Sequence, residues 1–511
     1  MNTRPQRSGG RSARQNLRAT KGAVPNPAPP GQRGGQYRPL SDSDTRRIID
    51  AALKLLRTLG MGDVPPRLAT LFLDKGAERR ADGRITFPIS LTEDAIAMAA
   101  SQFVLHGRDP DRSITVGGDA VHFGTGGAAV QTLDLDSGNY RPSSLQDLYD
   151  FTRLQDQMEN ISWFTRCCIA TDIPDNFDLD VNTVYALLRG TTKPVATSFT
   201  LAEHVAPIVN MLDIVEGGEG KFSARPYLKA HISPVISPMR FGEDAVDVTF
   251  ACIEHNIPVS CITAAQAGAT APATPAGFLV QSLAETLASL LMVNLISPGY
   301  SMVFSNWPLV IDLRTGAFSG GGGETALLNA ASAQLSNALC LPSGIASSMT
   351  DAKAIDAQYG AEKGITSLAA GLAGGNLIYE SSGMTASLLG ASFEAFLLDN
   401  EMHSAIFRTL RGIEVNDETL DLDGIENAVV GEGHFLGQDE TIAAMERDYV
   451  YPKIADRDPP ITWAEKGHAT VWQKANEQAK QVLATYHPQY LEPEVDAKIR
   501  ETFKIYLPEL G

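Results

Sequence analysis

The middle of the chain reads YLKAHI at positions 227–232, GEDAVDVTFACIEH at 242–255, PVSCIT at 258–263 and PAGFLVQSLAETLASLLMVNLI at 275–296. The two short segments are apolar and bounded by turn residues, which is typical of buried strands. The two longer segments carry apolar residues at helical spacing. Strand, helix, strand and helix in succession predict two βα units and a parallel sheet.

The same alternation continues in both directions from this segment. It predicts strands at 120–133, 161–169, 194–199, 227–232, 258–263, 300–304, 343–348 and 376–380, with helices at 144–158, 178–188, 202–215, 242–255, 275–296, 323–339, 355–373 and 391–411. Eight βα units favour the α/β class and a closed (β/α)8 TIM barrel. The alternative is an open doubly wound sheet, which needs a phosphate-binding glycine turn after its first strand. Gly124-Thr125-Gly126-Gly127 is the candidate for that turn, but more strand-like sequence follows it.

The predicted barrel, residues 119–412, is flanked by three other regions. Residues 1–40 contain eight basic residues and no acidic one, so we expect a disordered basic arm, or an arm that orders only against an acidic surface. Residues 41–118 are expected to form an N-terminal helical cap, with Ser41 as the N-cap of its first helix. Residues 413–511 are expected to form a C-terminal helical extension.

Composition excludes several classes of protein. The 42 basic and 60 acidic residues leave a net charge of −18, which disfavours nucleic acid as a partner. The chain offers no apolar run of the length that a membrane span or a secretory signal requires, so we expect a cytoplasmic protein without membrane contact. Five cysteines without CxxC spacing indicate a reducing compartment, and the histidines lack metal-ligand spacing, so no metal site is predicted.

The active site of a barrel lies at the carboxyl ends of its strands. The candidate substrate-binding residues at these ends are Trp163, Arg166, Phe199, His231, Phe304, Asn306, Trp307, Tyr379 and Glu380. Aromatic rings dominate this set, and aromatic walls suit a cation without hydrogen-bond donors, such as a quaternary ammonium. Each ring taken singly could instead be core. Alternation along a strand also means that Trp163 and Phe164 cannot both face inward.

A glycine-rich loop follows the sixth predicted strand. It contains Arg314, Gly320, Gly321 and Gly322, and Asp351 follows the seventh strand. Glycines running into a helix can bind an anion or let a partner approach closely. We expect these residues to form the loop that meets a partner protein, with a flexible lid as the alternative.

Several motifs carry a resemblance to a known family. They are Ser305-Asn306-Trp307, Asp312-Leu313-Arg314-Thr315-Gly316-Ala317, Gly323-Glu324, Leu341-Pro342, Thr350-Asp351-Ala352-Lys353 and the segment from Asp356 to Lys363. With these motifs the chain resembles the trimethylamine methyltransferase (MttB-like) superfamily from about residue 40 onward. It is similar to the pyrrolysine-free branch, which includes glycine betaine:corrinoid methyltransferase. The position equivalent to pyrrolysine is expected near Met349.

The resemblance implies a reaction. A methyl group would move from glycine betaine, or a related methylated amine, to the Co(I) of a cobalamin (corrinoid) carried by a partner protein, while this chain binds no cofactor itself. Such chemistry needs orientation and desolvation rather than a general acid. The carboxylate of a betaine would be held by Arg166, Arg314 or His231, although Arg314 beside Asp312 is more typical of a structural ion pair. No catalytic residue can be assigned.

Two other classes stay open. The chain could be a lyase or aldolase that uses Lys353 or Lys229 as a Schiff-base amine. It could also be a methylated-amine-binding protein without catalysis. A homo-oligomer is expected in each case.

Overall fold

The computed structural model describes residues 26–509 and shows a mixed α/β chain built on parallel strands. The eight central strands are β1 His122–Phe123, β2 Phe164–Thr165, β3 Val195–Thr197, β4 Leu228–Ile232, β5 Val259–Thr263, β6 Met302–Asn306, β7 Gly344–Ala346 and β8 Leu377–Tyr379. The helices that follow them are α1 Leu145–Asp156, α2 Asn176–Gly190, α3 Val205–Glu216, α4 Glu243–Glu254, α5 Pro275–Ile296, α6 Gly323–Ala338, α7 Ala357–Ala373 and α8 Phe393–Arg411. The predicted strand–helix alternation is therefore confirmed.

Each central strand pairs with its neighbours along the chain. Strands β2 to β6 form one parallel sheet, and β7, β8 and β1 form a second. Isolated parallel bridges join Gly124 to Trp163 and Phe304 to Ser343, between the ends of the two sheets. The first strand pairs with the last, which is not the strand order of a doubly wound sheet. All eight carboxyl ends consequently point the same way.

Side chains on the central strands alternate between two faces. In β4, Leu228, Ala230 and Ile232 join the large core cluster between strands and helices, which we call the outer cluster. Lys229 and His231 point the other way and contact the rings of Tyr379, on β8, and Trp307, just after β6. The inward face is lined by the inner cluster, made of Leu105, Val116, Trp163, Ile262, Val303, Trp307, Ala346, Met349, Leu377 and Tyr379. Pleating thus separates packing residues from residues that face the interior.

Helix α5 is the one helix among residues 26–509 that is long and apolar enough to cross a membrane by length and composition. In the fold, 78% of that apolar window is buried inside the protein. Its buried Glu285 accepts hydrogen bonds from the Ser237 hydroxyl and the Met239 amide, both at 2.7 Å. We therefore describe α5 as an internal helix, hydrophobic all round because protein surrounds it.

The N-terminal region contains both helices and hairpins. Its helices are Asp42–Thr58, Pro66–Asp74 and Ile89–Met98, and the predicted N-cap is confirmed because the Ser41 hydroxyl accepts a bond from the Asp44 amide. Two antiparallel hairpins were not expected: Glu78–Arg79 with Ile85–Thr86, and Gln102–Leu105 with Ile114–Gly117. The second hairpin supplies Leu105 and Val116 to the inner cluster.

Residues 26–40 are ordered against the rest of the chain, as in the alternative expectation of an arm that orders on an acidic surface; Arg33 pairs there with Asp119 at 2.6 Å. Ala28 is fully buried in a core cluster, and the amide of Gly31 donates to the Val121 carbonyl at 2.9 Å. The amides of Gly35 and Tyr37 both donate to the Leu372 carbonyl. Backbone pairing needs no apolar side chains, so a composition rich in glycine, proline and glutamine does not reveal it. Residues 1–25, the rest of the predicted arm, lie outside the described residues.

Smaller sheets lie beyond the central strands. Gln131–Leu133, Tyr140–Pro142, Met384–Thr385 and Gly390–Ser392 form a four-stranded sheet, Gln266–Ala267, Leu309–Ile311 and Phe318–Ser319 form a three-stranded one, and Val235–Ile236 pairs with Arg240–Phe241. The predicted strand 120–133 is therefore wrong as a single element. The glycine turn at 124–127 divides it between a central strand and the four-stranded sheet.

The C-terminal region is helical. Its helices are Asp417–Leu420, Leu422–Val430, Asp439–Arg447, Pro460–Glu465, Val471–Thr485 and Pro493–Thr502. The last two pack on the α/β core, where Asn182 of α2 donates to the Lys504 carbonyl and Asn476 donates to Glu394 of α8. Residues 413–436 instead leave many large apolar side chains exposed, including Ile413, which is 88% exposed.

Candidate active site

Four rings meet on the inward face of the central strands. Tyr379 lies at the centre, with ring centroids 4.5 Å from Trp163, 4.9 Å from Trp307 and 5.5 Å from His231. The His231 and Trp307 rings are 5.3 Å apart. Four of the nine predicted substrate-binding residues thus form one group around Tyr379, although they come from four different βα units.

Local sequence explains how these rings approach each other. Trp163 precedes β2 and faces inward, whereas Phe164 faces the outer cluster, so the predicted opposition of these neighbours is confirmed. The Trp163 ring lies directly against the turn that follows β1, where a Cβ on Gly124 would be 2.1 Å from a ring atom. A glycine is therefore required at this position.

Many buried polar atoms, on these rings and on residues at the carboxyl ends of the central strands, have no hydrogen-bond partner among the described residues. They are the ring nitrogens Nε1 of Trp163, Nδ1 of His231 and Nε1 of Trp307, Oγ1 of Thr263, both amide atoms of Asn306 and both carboxylate oxygens of Glu380. Buried polar groups in proteins are nearly always hydrogen-bonded. Their concentration here indicates a site whose partners come from a ligand or from water.

A hydrogen-bonded lysine lies beneath the rings. Lys229 is fully buried, and its Nζ donates to the Tyr379 hydroxyl at 2.7 Å. Tyr379 in turn donates to Ser260 at 3.0 Å, and Ser260 is 2.7 Å from Ser305. Burial lowers the pKa of Lys229 to about 7, because the ammonium form is poorly solvated there. This series of hydrogen bonds fixes the orientation of the Tyr379 ring.

Two cationic groups accompany His231. Burial lowers the pKa of Arg166, with nearby Asp180 partly opposing this effect, and no ion pair joins its guanidinium to a carboxylate among residues 26–509. Burial and the charges of Lys229 and Arg166 keep the pKa of His231 well below its usual value. His231 is therefore neutral near pH 7, and Arg166 is the group that can hold a carboxylate.

Glu380 ends the strand that carries Tyr379. It is fully buried, and its backbone adopts a left-handed φ of 62°. Burial raises its pKa to about 8, which Lys363 and the Gly127 amide partly offset. A buried carboxyl group in a strained backbone conformation is typical of a functional position.

The predicted partner loop is tightly packed. The Gly320 amide donates to Asp351 at 2.7 Å, and a Cβ on Gly321 would lie 2.4 Å from the Glu362 carboxylate. Arg314 is exposed and paired with Asp312 at 2.7 Å, so the predicted ion pair is confirmed. Gly322 is the N-cap of α6 and its position is also close to other side chains.

A strained segment lies beside this loop. Ala386, Ser387 and Leu388 all have positive φ, at 49°, 56° and 70°, and the Ser387 hydroxyl donates to Asp351 at 2.8 Å. Three consecutive non-glycine residues in this region are costly and persist only where the surroundings hold them. Asp351 therefore ties the glycine loop to the strained segment.

Two predicted residues do not join the rings. Phe199 and Phe304 belong to the outer cluster, and Phe304 faces away because Ser305 and Val303 occupy the inward positions of β6. Their expected role as pocket walls is therefore corrected. Lys229, Ser260 and Met349 face the interior instead. The lysine within the predicted strand 227–232 was the sequence signal for these interior polar residues.

The family model described as "Trimethylamine methyltransferase (MTTB)" matches residues 7–506. A glycine betaine methyltransferase of Desulfitobacterium hafniense (strain Y51) is 29% identical over 472 residues, which are 92% of this chain and 97% of the relative. A trimethylamine methyltransferase MttB of D. hafniense (strain DSM 10664 / DCB-2) is 30% identical over 475 residues, or 92% and 94% of the two chains.

Among solved structures, a dihydropteroate synthase from Coxiella burnetii is 13% identical and aligns with a TM-score of 0.37 over 61% of this chain. This similarity is too low to bear on fold or function. The family match, in contrast, spans nearly the whole sequence, and the relatives are named methyltransferases. The chain belongs to the trimethylamine methyltransferase (MTTB) family.

Proposed function

We propose that this methyltransferase moves a methyl group from a quaternary amine, glycine betaine or a related betaine, to the Co(I) of a corrinoid protein. The observation that carries the proposal is the group of four rings at the strand ends, surrounded by unpartnered buried polar atoms. Aromatic faces attract a cation that has no hydrogen to donate. The glycine betaine methyltransferase among the relatives supports this substrate class.

The eight parallel strands are proposed to close into a (β/α)8 barrel. In support, neighbouring strands pair in chain order, β1 pairs with β8, and isolated bridges join the two sheets at both junctions. The barrel spans 119–412, between a cap at 41–118 and an extension at 413–511. The rings would then line the mouth of the barrel, where the loops can admit a partner.

The residues of the chain would bind and orient the substrate. The rings of Trp163 and Trp307 would surround the methyl groups, and Arg166 would hold the carboxylate by charge-assisted hydrogen bonds. A corrinoid on the partner protein supplies the nucleophile that accepts the methyl group. The displaced nitrogen keeps the electron pair of the broken carbon–nitrogen bond, so the tertiary amine leaves without needing a proton. This accounts for a site with rings and few acid–base pairs.

The experiment is methyl transfer to free cob(I)alamin, followed by its absorption spectrum, with glycine betaine and trimethylamine as alternative substrates. We expect turnover of the betaine and a slower reaction with trimethylamine. Arg166→Met should lower turnover of the betaine, because its carboxylate loses its partner. Faster turnover of trimethylamine would contradict assignment to a pyrrolysine-independent quaternary-amine enzyme. Binding without transfer to any reduced corrinoid would indicate a methylated-amine-binding protein.

One observation favours a second candidate function. Lys229 is buried with a pKa of about 7, which is the condition that a Schiff-base lysine requires. Lys353, the other lysine considered, is exposed. Incubation with carbonyl compounds and borohydride, followed by mass measurement, tests the lysine-dependent lyase or aldolase. Adduct formation that disappears in Lys229→Met would support it against the methyltransferase.

We also propose a cytoplasmic homo-oligomer whose substrate partner is a small methylated amine. The exposed apolar side chains of 413–436 support association, since Val415, Leu422, Val429 and Val430 are all more than 70% exposed. Sedimentation velocity of wild type and of Val429→Glu/Val430→Glu tests this: the double variant should shift toward the monomer. An unchanged sedimentation coefficient would place any interface elsewhere.

A further inference from the structure

The Glu380 carboxylate is buried without a well-formed polar interaction to balance it. It follows Tyr379 directly and is fully buried. Neither oxygen accepts a hydrogen bond of good geometry among the described residues, although the Gly127 amide is close enough to lower the pKa of the carboxyl group. Burying a polar group without compensation is costly. The group is therefore best explained by a ligand that completes its interactions.

The turn after β1 is in close contact with both this carboxylate and the Trp163 ring. A Cβ on Gly126 would lie 2.8 Å from Oε1 of Glu380, and a Cβ on Gly127 would lie 2.8 Å from Oε2. Gly124 of the same turn leaves the room that the Trp163 ring occupies. Three glycines thus make space for a carboxylate and for an aromatic face on one short turn.

Lys363, the cation whose charge acts on Glu380, is already paired with another carboxylate. Lys363 donates to Asp399 at 2.5 Å, and Asp399 also accepts bonds from Tyr359 at 2.6 Å and from the Gly383 amide at 2.8 Å. Asp399 therefore takes most of the effect of the Lys363 ammonium group. Glu380 is left as a carboxyl group without a cation of its own.

We propose that Glu380 is the counter-charge for the quaternary ammonium of the substrate, with its carboxylate facing the nitrogen that the rings surround. This inference rests on the proposed function, and it narrows the substrate class to permanent cations. A quaternary nitrogen cannot donate a hydrogen bond, so a carboxylate recognises it by charge alone. The pocket should accordingly reject a neutral molecule of the same shape.

The test compares ligands with and without a quaternary ammonium group by calorimetric titration at pH 8.5. The probes are tetramethylammonium, glycine betaine and 3,3-dimethylbutyrate, which keeps the betaine carboxylate and replaces the charged nitrogen by carbon. Glu380→Gln should weaken both ammonium ligands at least about tenfold, because a buried charge pair is lost, and should not weaken 3,3-dimethylbutyrate, which has no cation for Glu380 to pair with. The control is Glu394→Gln, a buried glutamate that is hydrogen-bonded to Ser392 and Asn476; it should leave all three affinities unchanged.

The proposal would be overturned if Glu380→Gln bound tetramethylammonium and glycine betaine with affinities within threefold of wild type. It would also be overturned if the wild type bound neither of these two ligands. Tetramethylammonium binding without betaine binding would refute the proposed substrate and leave the role of Glu380 intact. A circular dichroism spectrum and a melt establish that each variant is folded.

The pH dependence of binding gives a second test. As the pH is raised toward about 8, tetramethylammonium affinity should rise by up to about tenfold per pH unit, because the cation binds the ionised carboxylate. The groups that face this region are Lys363 with Asp399, the Tyr379 hydroxyl and, below it, Lys229. Lys229 loses its charge over a similar range, so the slope that survives in Glu380→Gln belongs to Lys229. An affinity independent of pH in wild type would count against the proposal.

Discussion

Removing the ring of Trp307 gives the sharpest test of the aromatic site. Its amide donates to the Thr263 carbonyl at 2.9 Å, which fixes the backbone just after β6. The ring is 6% exposed, lies 4.9 Å from Tyr379 and 5.3 Å from His231, and has an unpartnered Nε1. Trp307→Ala therefore removes one wall and leaves the other rings in place.

The expected magnitude follows from the type of contact. A desolvated cation–π contact contributes about 1–2 kcal/mol, which corresponds to a Kd for glycine betaine about 5 to 30 times weaker. Trp307→Phe should recover part of this loss, since a smaller π face remains. The cavity left by alanine should also lower stability by about 3–5 kcal/mol, so binding and stability must be measured separately.

The assay is calorimetric titration with glycine betaine together with a thermal melt of each variant. The matched control is Phe304→Leu, because Phe304 lies on β6 three residues before Trp307, is also buried and belongs to the outer cluster. The control should melt at a lower temperature and bind with wild-type affinity. An unaltered Kd in Trp307→Ala would refute the role of this ring, and the same experiment would then be made with Trp163.

Three further changes have defined outcomes. Asp399→Asn should cost about 3–5 kcal/mol and lower the melting temperature, because it breaks a fully buried ion pair; an unchanged melt would mean that the pair is not a net contributor. Gly124→Ala should weaken amine binding by displacing the Trp163 ring, whereas Gly360→Ala, which has open space around its Cβ, should bind normally. Between pH 7 and 10 the unfolded chain holds a proton on Lys229 that the folded protein does not, so stability should rise with pH. Lys229→Met should flatten this rise in melting temperature, and a parallel pH profile would contradict the assignment.

The order of strands and helices was predictable from the sequence. Apolar residues recur with a helical period in segments such as 242–255, and short apolar runs such as 258–263 alternate with them. Both patterns are local, because a helix or strand must bury one face whatever it packs against. Predicted elements therefore coincide with α4 and β5 to within a residue or two.

The choice among aromatic residues was less predictable. Alternation shows that Trp163 and Phe164 face opposite ways, and the tertiary structure decides which one faces inward. The same holds for Phe304, which was predicted in the pocket and packs against helices instead. A shift of one residue in register moves every side chain of a strand to the opposite face, and the neighbouring strands set that register.

The sequence by itself determined the alternating βα architecture, the family and the aromatic character of the strand ends, because these depend on residue type and local period. The tertiary structure alone decided that residues 26–40 pair with the α/β core, and that Glu380 lies against a turn more than 250 residues earlier in the chain. Such contacts depend on how distant segments pack. Burial, unpartnered oxygens and a raised pKa appear only once that packing removes water from the carboxylate.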